Sequence, residues 1–109
     1  MSANAYRGEA SLRVGASEVR LRPSFAALVA AEEELGSLLA LVERAGEGAV
    51  TLREVAALFW HCLAERPDGI TREAVGEAVV AHGLAGVMPS LRTLLRQIVL
   101  GAALVEDAR

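Results

Sequence analysis

The sequence contains three imidazole or thiol side chains that could bind a metal ion or act as a nucleophile or base: His61, Cys62 and His82. A zinc site needs three or four such ligands, and the sequence contains neither a Cys-x-x-Cys nor a His-Glu-x-x-His pattern. The two histidines fall on different predicted helices. Cys62 falls in an apolar helical stripe, which indicates a buried and unreactive thiol. We therefore expect no metal site and no cofactor.

Ser24 and Ser90 could serve in acyl transfer only if a histidine and an acid lay beside them. Both stand at predicted helix starts, where a serine side chain accepts hydrogen bonds from free backbone amides. The glycine-containing run Gly46–Gly48 lacks the lysine and serine that follow in a phosphate-binding loop. These patterns predict that the protein is not an enzyme.

The composition fits one small helical domain. The chain has 109 residues, of which 53% are hydrophobic but only 4% are aromatic, so we expect a core of closely packed helices without a deep pocket. No apolar stretch approaches the ~20 residues of a membrane span, and residues 1–20 lack the apolar centre of a secretion signal. We expect a single domain, residues 1–109, located in the cytoplasm. The lone cysteine agrees with a reducing compartment.

The net charge of −3 is distributed unevenly along the chain. Residues 1–23 carry four arginines and two acids, for +2, whereas residues 24–109 carry seven arginines and twelve acids, for −5. Nonspecific binding to nucleic acid needs a concentrated basic surface, which an acidic body does not offer. We expect neither nucleic acid nor a membrane as a partner.

Alternating apolar and polar residues predict a β-hairpin over about 9–22. With a turn at Gly15–Ser17, pairing Val14 with Val19 places the apolar side chains of both strands on one face. A hairpin of two strands is marginal alone and leaves both edges unpaired, so it must lie on helices and could accept a strand from another chain.

The same register sets Arg13 directly opposite Arg20, and like charges that face each other across two strands are unfavourable. One interpretation is that solvent or the protein's own acids relieve this repulsion. The other is that the two arginines bind an acidic segment of a partner protein.

Helical periodicity and capping signals predict four to five short helices after the hairpin. They span about 24–35, 37–45, 51–65, 71–83 and 90–106. The strongest local signal is Thr51–Glu54, which has the spacing of a capping box. Gly83, Gly86 and Pro89 indicate a break between the last two helices. The fold is therefore expected to be α+β and mostly α, with an N-terminal hairpin packed on a helical bundle.

Glu32 lies within the predicted apolar stripe of the first helix, near the end where the helix dipole disfavours an acid. It either caps the next helix near Ser37, or pairs with a hairpin arginine, or contacts a partner. The stripe itself comprises Phe25, Leu28, Val29 and Leu35.

Leu100 and Leu104 project from the outer side of the last predicted helix. An adjacent pair of exposed leucines is a candidate contact for a partner or for a second copy of the chain. The alternative is that another helix of the same chain covers them.

Several short motifs, in this order, resemble the gene transfer agent family of small proteins from phage-like tail modules. They are Arg7–Glu9, Leu21–Phe25, Glu32 with Gly36, Glu73–Gly76, and Leu94–Leu95 with Gly101. The resemblance implies a product of a phage, prophage or gene-transfer-agent tail cluster, in the cytoplasm of a bacterial host or associated with the virion. Members are described as tail tube or tail-assembly-chaperone-like proteins, and the second description implies a tape-measure-like protein partner.

Three functional hypotheses follow. The leading one is a tail assembly chaperone that covers apolar helices of a tape-measure-like partner. The second is a structural tail tube subunit, joined to its neighbours through the hairpin edge, which would form homo-oligomers. The third, an unrelated adaptor or small enzyme, would require a deep polar pocket with converging titratable groups.

Overall fold

The computed structural model describes residues 9–107, and it describes side chains for residues 9–100. The elements in chain order are β1 (Ala10–Val14), β2 (Ser17–Leu21), α1 (Phe25–Leu35), α2 (Leu38–Gly46), α3 (Leu52–His61) and α4 (Arg72–Asp107). Over the described residues the structure is α+β, with an N-terminal antiparallel hairpin followed by four helices. The predicted fold class is confirmed.

The hairpin register differs by two residues from the predicted one. Leu12 pairs with Val19, and Val14 pairs with Ser17, so the turn contains only Gly15 and Ala16. Gly15 has a φ of +62°, the left-handed conformation that a tight hairpin turn requires at its first central position. A shift of two residues leaves every side chain on the same face, so the apolar pattern could not distinguish the two registers.

The predicted opposition of Arg13 and Arg20 is therefore wrong. Arg13 faces Glu18 across the hairpin, and Arg20 faces Ser11. An arginine opposite a glutamate is a favourable cross-strand pair. The repulsion that suggested an acidic docking segment does not exist.

Helix α1 buries a different stripe from the predicted one. Ala31 is fully buried, whereas Phe25 is 85% exposed and Val29 is 38% exposed. Leu28 and Leu35 are half-buried against the core. The inner face of α1 is therefore centred on Ala31 and does not include Phe25.

Helix α3 forms the centre of the core, with Val55, Leu58 and Phe59 buried. Its capping box is present as predicted: the Glu54 amide donates to Oγ1 of Thr51 at 3.1 Å, and the Thr51 amide donates to the Glu54 carboxylate at 2.9 Å. The helix ends at His61, rather than near residue 65. The chain beyond it becomes extended and runs beside β2.

Helix α4 joins the two predicted segments 71–83 and 90–106, and the expected loop between them is absent. A straight helix of 36 residues would be about 54 Å long, but the longest dimension of the protein is 37 Å. Gly83 has a φ of +78°, which a right-handed helix does not accommodate. Helix α4 therefore bends at Gly83 into a first arm (residues 72–83) and a second arm (84–107), and Pro89 lies inside the second.

One core joins the hairpin to α3 and both arms of α4. Its largest fully buried side chains are Phe59, Leu21, Leu41, Leu58, Leu94, Val75, Val79, Val87 and Cys62. By length and composition alone, residues Arg72–Leu100 of α4 are apolar enough to cross a bilayer, with a mean hydropathy of 1.3. The expectation that no apolar stretch approaches the length of a membrane span is therefore wrong by this criterion, although α4 bends at Gly83 within the segment.

Candidate protein-interaction surfaces

The outer edge of β1 is covered by polar side chains from α4. Nε2 of His82 lies 2.9 Å from the carbonyl oxygen of Arg13, and the hydroxyl of Ser90 donates to the carbonyl oxygen of Ser11 at 2.8 Å. These two carbonyls point away from β2, so they would otherwise be available to another strand. His82 and Ser90 thus have a shared structural role that the sequence did not indicate.

The outer edge of β2 is covered by the extended chain that follows α3. The Arg22 amide donates to the Cys62 carbonyl at 2.6 Å, and the Ala64 amide donates to the Arg20 carbonyl at 2.9 Å. Leu21 and Leu63 form an antiparallel bridge between these bonds. The expectation that both hairpin edges are unpaired is therefore wrong for β2, which pairs with the chain after α3, whereas the edge of β1 receives only the two side-chain hydrogen bonds from α4.

Glu32 has the structural role that one interpretation of the sequence assigned to it. Its carboxylate accepts a hydrogen bond of 3.2 Å from the backbone amide of Leu38, the first residue of α2. Ser37 caps the same helix by accepting from the amide of Ala40 at 3.1 Å. Glu32 therefore joins the end of α1 to the start of α2.

Glu34, which the sequence analysis did not single out, holds three helices together. Its carboxylate forms an ion pair with Arg72 of α4 and lies 2.7 Å from Nε2 of His61 of α3. The hydrogen bond from Arg72, followed by that from His61, lowers the pKa of Glu34 to about 2. An open hollow of about 500 Å³ lies beside this ion pair, between α1, α3 and the start of α4.

A second ion pair joins α2 to α3. Arg44 donates to both carboxylate oxygens of Glu54, at 2.9 and 2.7 Å. This pairing, with the Thr51 amide as a further donor, lowers the pKa of Glu54 to about 2. A bidentate pair is geometrically specific, so it orients α2 relative to the start of α3.

The residues first considered for chemistry are not brought together. Burial raises the pKa of the Cys62 thiol to about 12, so this side chain is the inert core thiol that its position predicted. His61 contacts Glu34 of α1, whereas His82 contacts the carbonyl oxygen of Arg13 in β1, so the two histidines have different partners. Among the described residues, no group of three or more histidine, cysteine or acidic side chains could hold a metal ion.

An apolar groove of about 440 Å³ lies between α2 and the second arm of α4. Helix α2 contributes Val42, Ala45 and Gly46, and α4 contributes Met88, Arg92, Leu95, Arg96, Val99 and Leu100. Leu100 is 38% exposed, in agreement with the predicted outward position. Leu104 belongs to α4, but its side chain lies outside the described residues.

The four predicted contact residues whose side chains the structure describes lie in different parts of the fold. Arg13 and Arg20 belong to the hairpin, Glu32 caps α2, and Leu100 lines the groove. Among the side chains that the structure describes, Phe25 is the most exposed large apolar one, so the prediction that it belongs to the buried stripe of α1 is wrong. Its position at the first turn of α1, directly after Pro23–Ser24, is the signal that could have indicated exposure, because first-turn residues often precede the packed part of a helix.

The protein is thus a small α+β protein whose helices expose apolar faces. Several of its charged side chains form ion pairs between helices. Residues 7–101 match a family described as phage tail tube protein, GTA-gp10. The chain belongs to this family of phage tail proteins, and the resemblance to the gene transfer agent family is confirmed. No curated protein and no solved structure matches the chain.

Proposed function

We propose that this protein is a non-catalytic tail morphogenesis factor, a tail assembly chaperone that binds apolar helices of a tape-measure-like partner. The family supports a role in tail assembly with other proteins. The observation that carries the proposal is the exposed apolar face of α1, formed by Phe25 and Val29.

Phe25 and Val29 are four residues apart on α1 and therefore adjacent on its surface. They are 85% and 38% exposed, respectively. An exposed aromatic ring with an aliphatic neighbour is a typical anchor for a partner helix. Since Phe25 also ends the Leu21–Phe25 motif, the face of α1 is our candidate chaperone surface.

The covered hairpin edges also favour binding through helices. A partner strand could pair with β1 only after displacing His82 and Ser90, and with β2 only after displacing residues 62–64. Helical faces need no such rearrangement. This supports recognition of a helical partner, as expected for a chaperone of a long helical protein.

The second candidate is a structural tail tube subunit, which the family description favours directly. In this case subunits would form rings that remain in the particle. Assembly through hairpin edges would require the rearrangement described above, so ring contacts through helical faces fit this structure better.

Mass spectrometry of purified particles distinguishes the two candidates. A chaperone should be absent from mature particles but present in host extracts, in complex with a long helical tail protein. A tube subunit should be present in particles in many copies. Recovery in many copies from particles would overturn the chaperone proposal.

Co-purification then tests the α1 face. Phe25→Asp with Val29→Asp should abolish capture of the long tail protein, because a carboxylate cannot be buried against an apolar helix. Leu39→Asp is the matched control, since Leu39 is 63% exposed on α2. Circular dichroism should show the same helical signal for all variants. Unchanged capture by the double variant would remove α1 from the binding surface.

A further inference from the structure

We infer that the partner helix bound by the α1 face carries an arginine or lysine beside its apolar residues, and that this cation pairs with Glu33. This pairing rests on the function proposed above, because it names the chemistry of the helix that the α1 face binds. The position of Glu33 on α1 and the contacts made by its two acidic neighbours support it.

Glu33 lies on the same outer face of α1 as the exposed apolar pair. Residues four apart in an α-helix are separated by about 40° around the axis and by about 6 Å along it. Phe25, Val29 and Glu33 therefore form one row, which starts with two exposed apolar side chains and ends with an exposed carboxylate. The buried Ala31 lies on the opposite side of the helix.

The two acids that flank Glu33 fix the rotation of α1. The carboxylate of Glu32 accepts from the amide of Leu38 at the start of α2, and that of Glu34 pairs with side chains of α3 and α4. Because successive residues are about 100° apart around a helix, Glu33 lies midway between these two engaged carboxylates. Its side chain therefore points away from the neighbouring helices and is exposed.

The carboxylate of Glu33 lies where its own helix disfavours a negative charge. It belongs to the last turn of α1, at the negative end of the helix dipole, and that turn contains no basic residue. Among the side chains that the structure describes, none forms a hydrogen bond or an ion pair with Glu33. A cation supplied by a partner would relieve this unfavourable charge.

The charge of Glu33 selects a basic amphipathic helix as the occupant of the α1 face. A helix with two apolar residues one turn apart and a basic residue one turn further along matches the row from Phe25 to Glu33. Ala26 and Ala30 lie beside this row, and small side chains allow two helices to approach closely. A wholly apolar helix would instead desolvate the Glu33 carboxylate without supplying a counter-charge, which is unfavourable.

Co-purification with the long tail protein, identified by mass spectrometry and expressed together with this chain, tests the charge. Glu33→Arg should lower capture about tenfold and Glu33→Gln about threefold, because the first change creates repulsion and the second only removes attraction. Raising the salt concentration to about 0.5 M should weaken capture by the wild type more than capture by Glu33→Gln, since salt screens exposed charges. Glu77→Arg, at an exposed acid on the first arm of α4, is the matched control and should leave capture unchanged.

Overlapping synthetic peptides of the captured tail protein then locate the basic residue by fluorescence polarisation. A peptide that binds the wild type should carry an arginine or lysine one turn from an apolar pair. Replacing this residue by glutamate should abolish binding to the wild type and restore binding to Glu33→Arg, because the two charges are then exchanged. Failure of this exchange to restore binding, with Glu33→Arg folded by circular dichroism, overturns the pairing.

Comparison with the double variant Phe25→Asp, Val29→Asp separates the pairing from the proposed function. If the double variant abolishes capture but Glu33→Arg does not weaken it, the α1 face binds an apolar helix and only the pairing with Glu33 is wrong. If neither variant weakens capture, the chain binds the tail protein through another surface, and the pairing is wrong with the α1 face. If no tail protein is captured and the double variant instead dissociates a dimer of this chain, the occupant is a second copy, and both proposals are overturned.

Discussion

At the scale of residues, the charged side chains of this protein organise its helices. Glu34 contacts α3 and α4 from α1, Glu54 contacts α2 from α3, and Glu32 caps α2. None of these contacts is local in sequence except the cap. Perturbed pKa values often indicate a catalytic group, but here each lowered pKa is explained by a specific pairing between helices.

Glu34→Gln should lower the free energy of unfolding by about 1 kcal/mol at pH 7, because it removes a carboxylate that pairs with Arg72 and His61. Solvent screening limits the loss, since the Arg72 side chain is 48% exposed. The folded pKa of Glu34 is lowered from 4.5 to about 2, so its contribution is fully present above pH 4.5 and is lost as the pH falls toward 2.

Urea unfolding at a series of pH values measures this effect. The difference between wild type and Glu34→Gln should be largest near neutral pH and should vanish in acid. Glu33→Gln is the control, because Glu33 is an exposed neighbour on the same helix. A difference that persists at pH 2 would show that the ion pair is not its source.

At the scale of elements, the bend in α4 decides how the helix can contact the rest of the molecule. Helix α4 packs on α3, β1 and α2. His82 of the first arm and Ser90 of the second arm both contact β1, and the second arm lines the groove beside α2. The helix axis changes direction at Gly83. No atom lies within 4 Å of a Cβ placed on this residue. A side chain at this position would therefore be disfavoured by backbone conformation and not by crowding.

Gly83→Ala should destabilise the protein by about 1–2 kcal/mol, the cost of a left-handed conformation for a residue with a Cβ. Gly76→Ala is the matched change in the first arm, where φ is not positive and the new Cβ meets no atom within 4 Å. It should be neutral or stabilise by up to about 1 kcal/mol, because alanine favours helix. Thermal unfolding followed by circular dichroism compares the two variants. Equal stabilities would argue against a bend at Gly83.

At the scale of the whole molecule, the radius of gyration of 13.1 Å is that of a compact chain of about 100 residues. A protein this small has one modest core, so we expect its binding sites to lie on its surface. The described structure offers two separate apolar surfaces, the α1 face and the groove beside α2. A tail protein that contacts both a partner and a second copy would need two such surfaces.

Leu100→Asp combined with Leu104→Asp should weaken association while the helical signal is retained, because Leu100 is exposed and lines the apolar groove, and Leu104 follows it four residues later in α4. Light scattering and pull-down measure the effect, and Leu39→Asp on α2 serves as the control. A loss of helical signal would instead assign these leucines to the core. Unchanged association would exclude them as contacts.

The sequence by itself determined the parts of this protein that depend on neighbouring residues. The capping box at Thr51–Glu54 and the inert Cys62 were predicted because caps and apolar stripes follow from local spacing. The α+β class was predicted from the same kind of local spacing, because apolar residues alternate every second position in a strand and recur every three to four positions in a helix. The family resemblance was also readable from short motifs in order.

The tertiary structure alone decided which faces are buried and which groups meet. The hairpin register depends on turn geometry, because a shift of two residues preserves the apolar face. The exposure of Phe25 depends on how α1 rotates against α3, and the bonds from His82 and Ser90 to β1 join residues far apart in the chain. Patterns of neighbouring residues do not predict such long-range contacts, because the contacts form only when the helices pack around the hairpin.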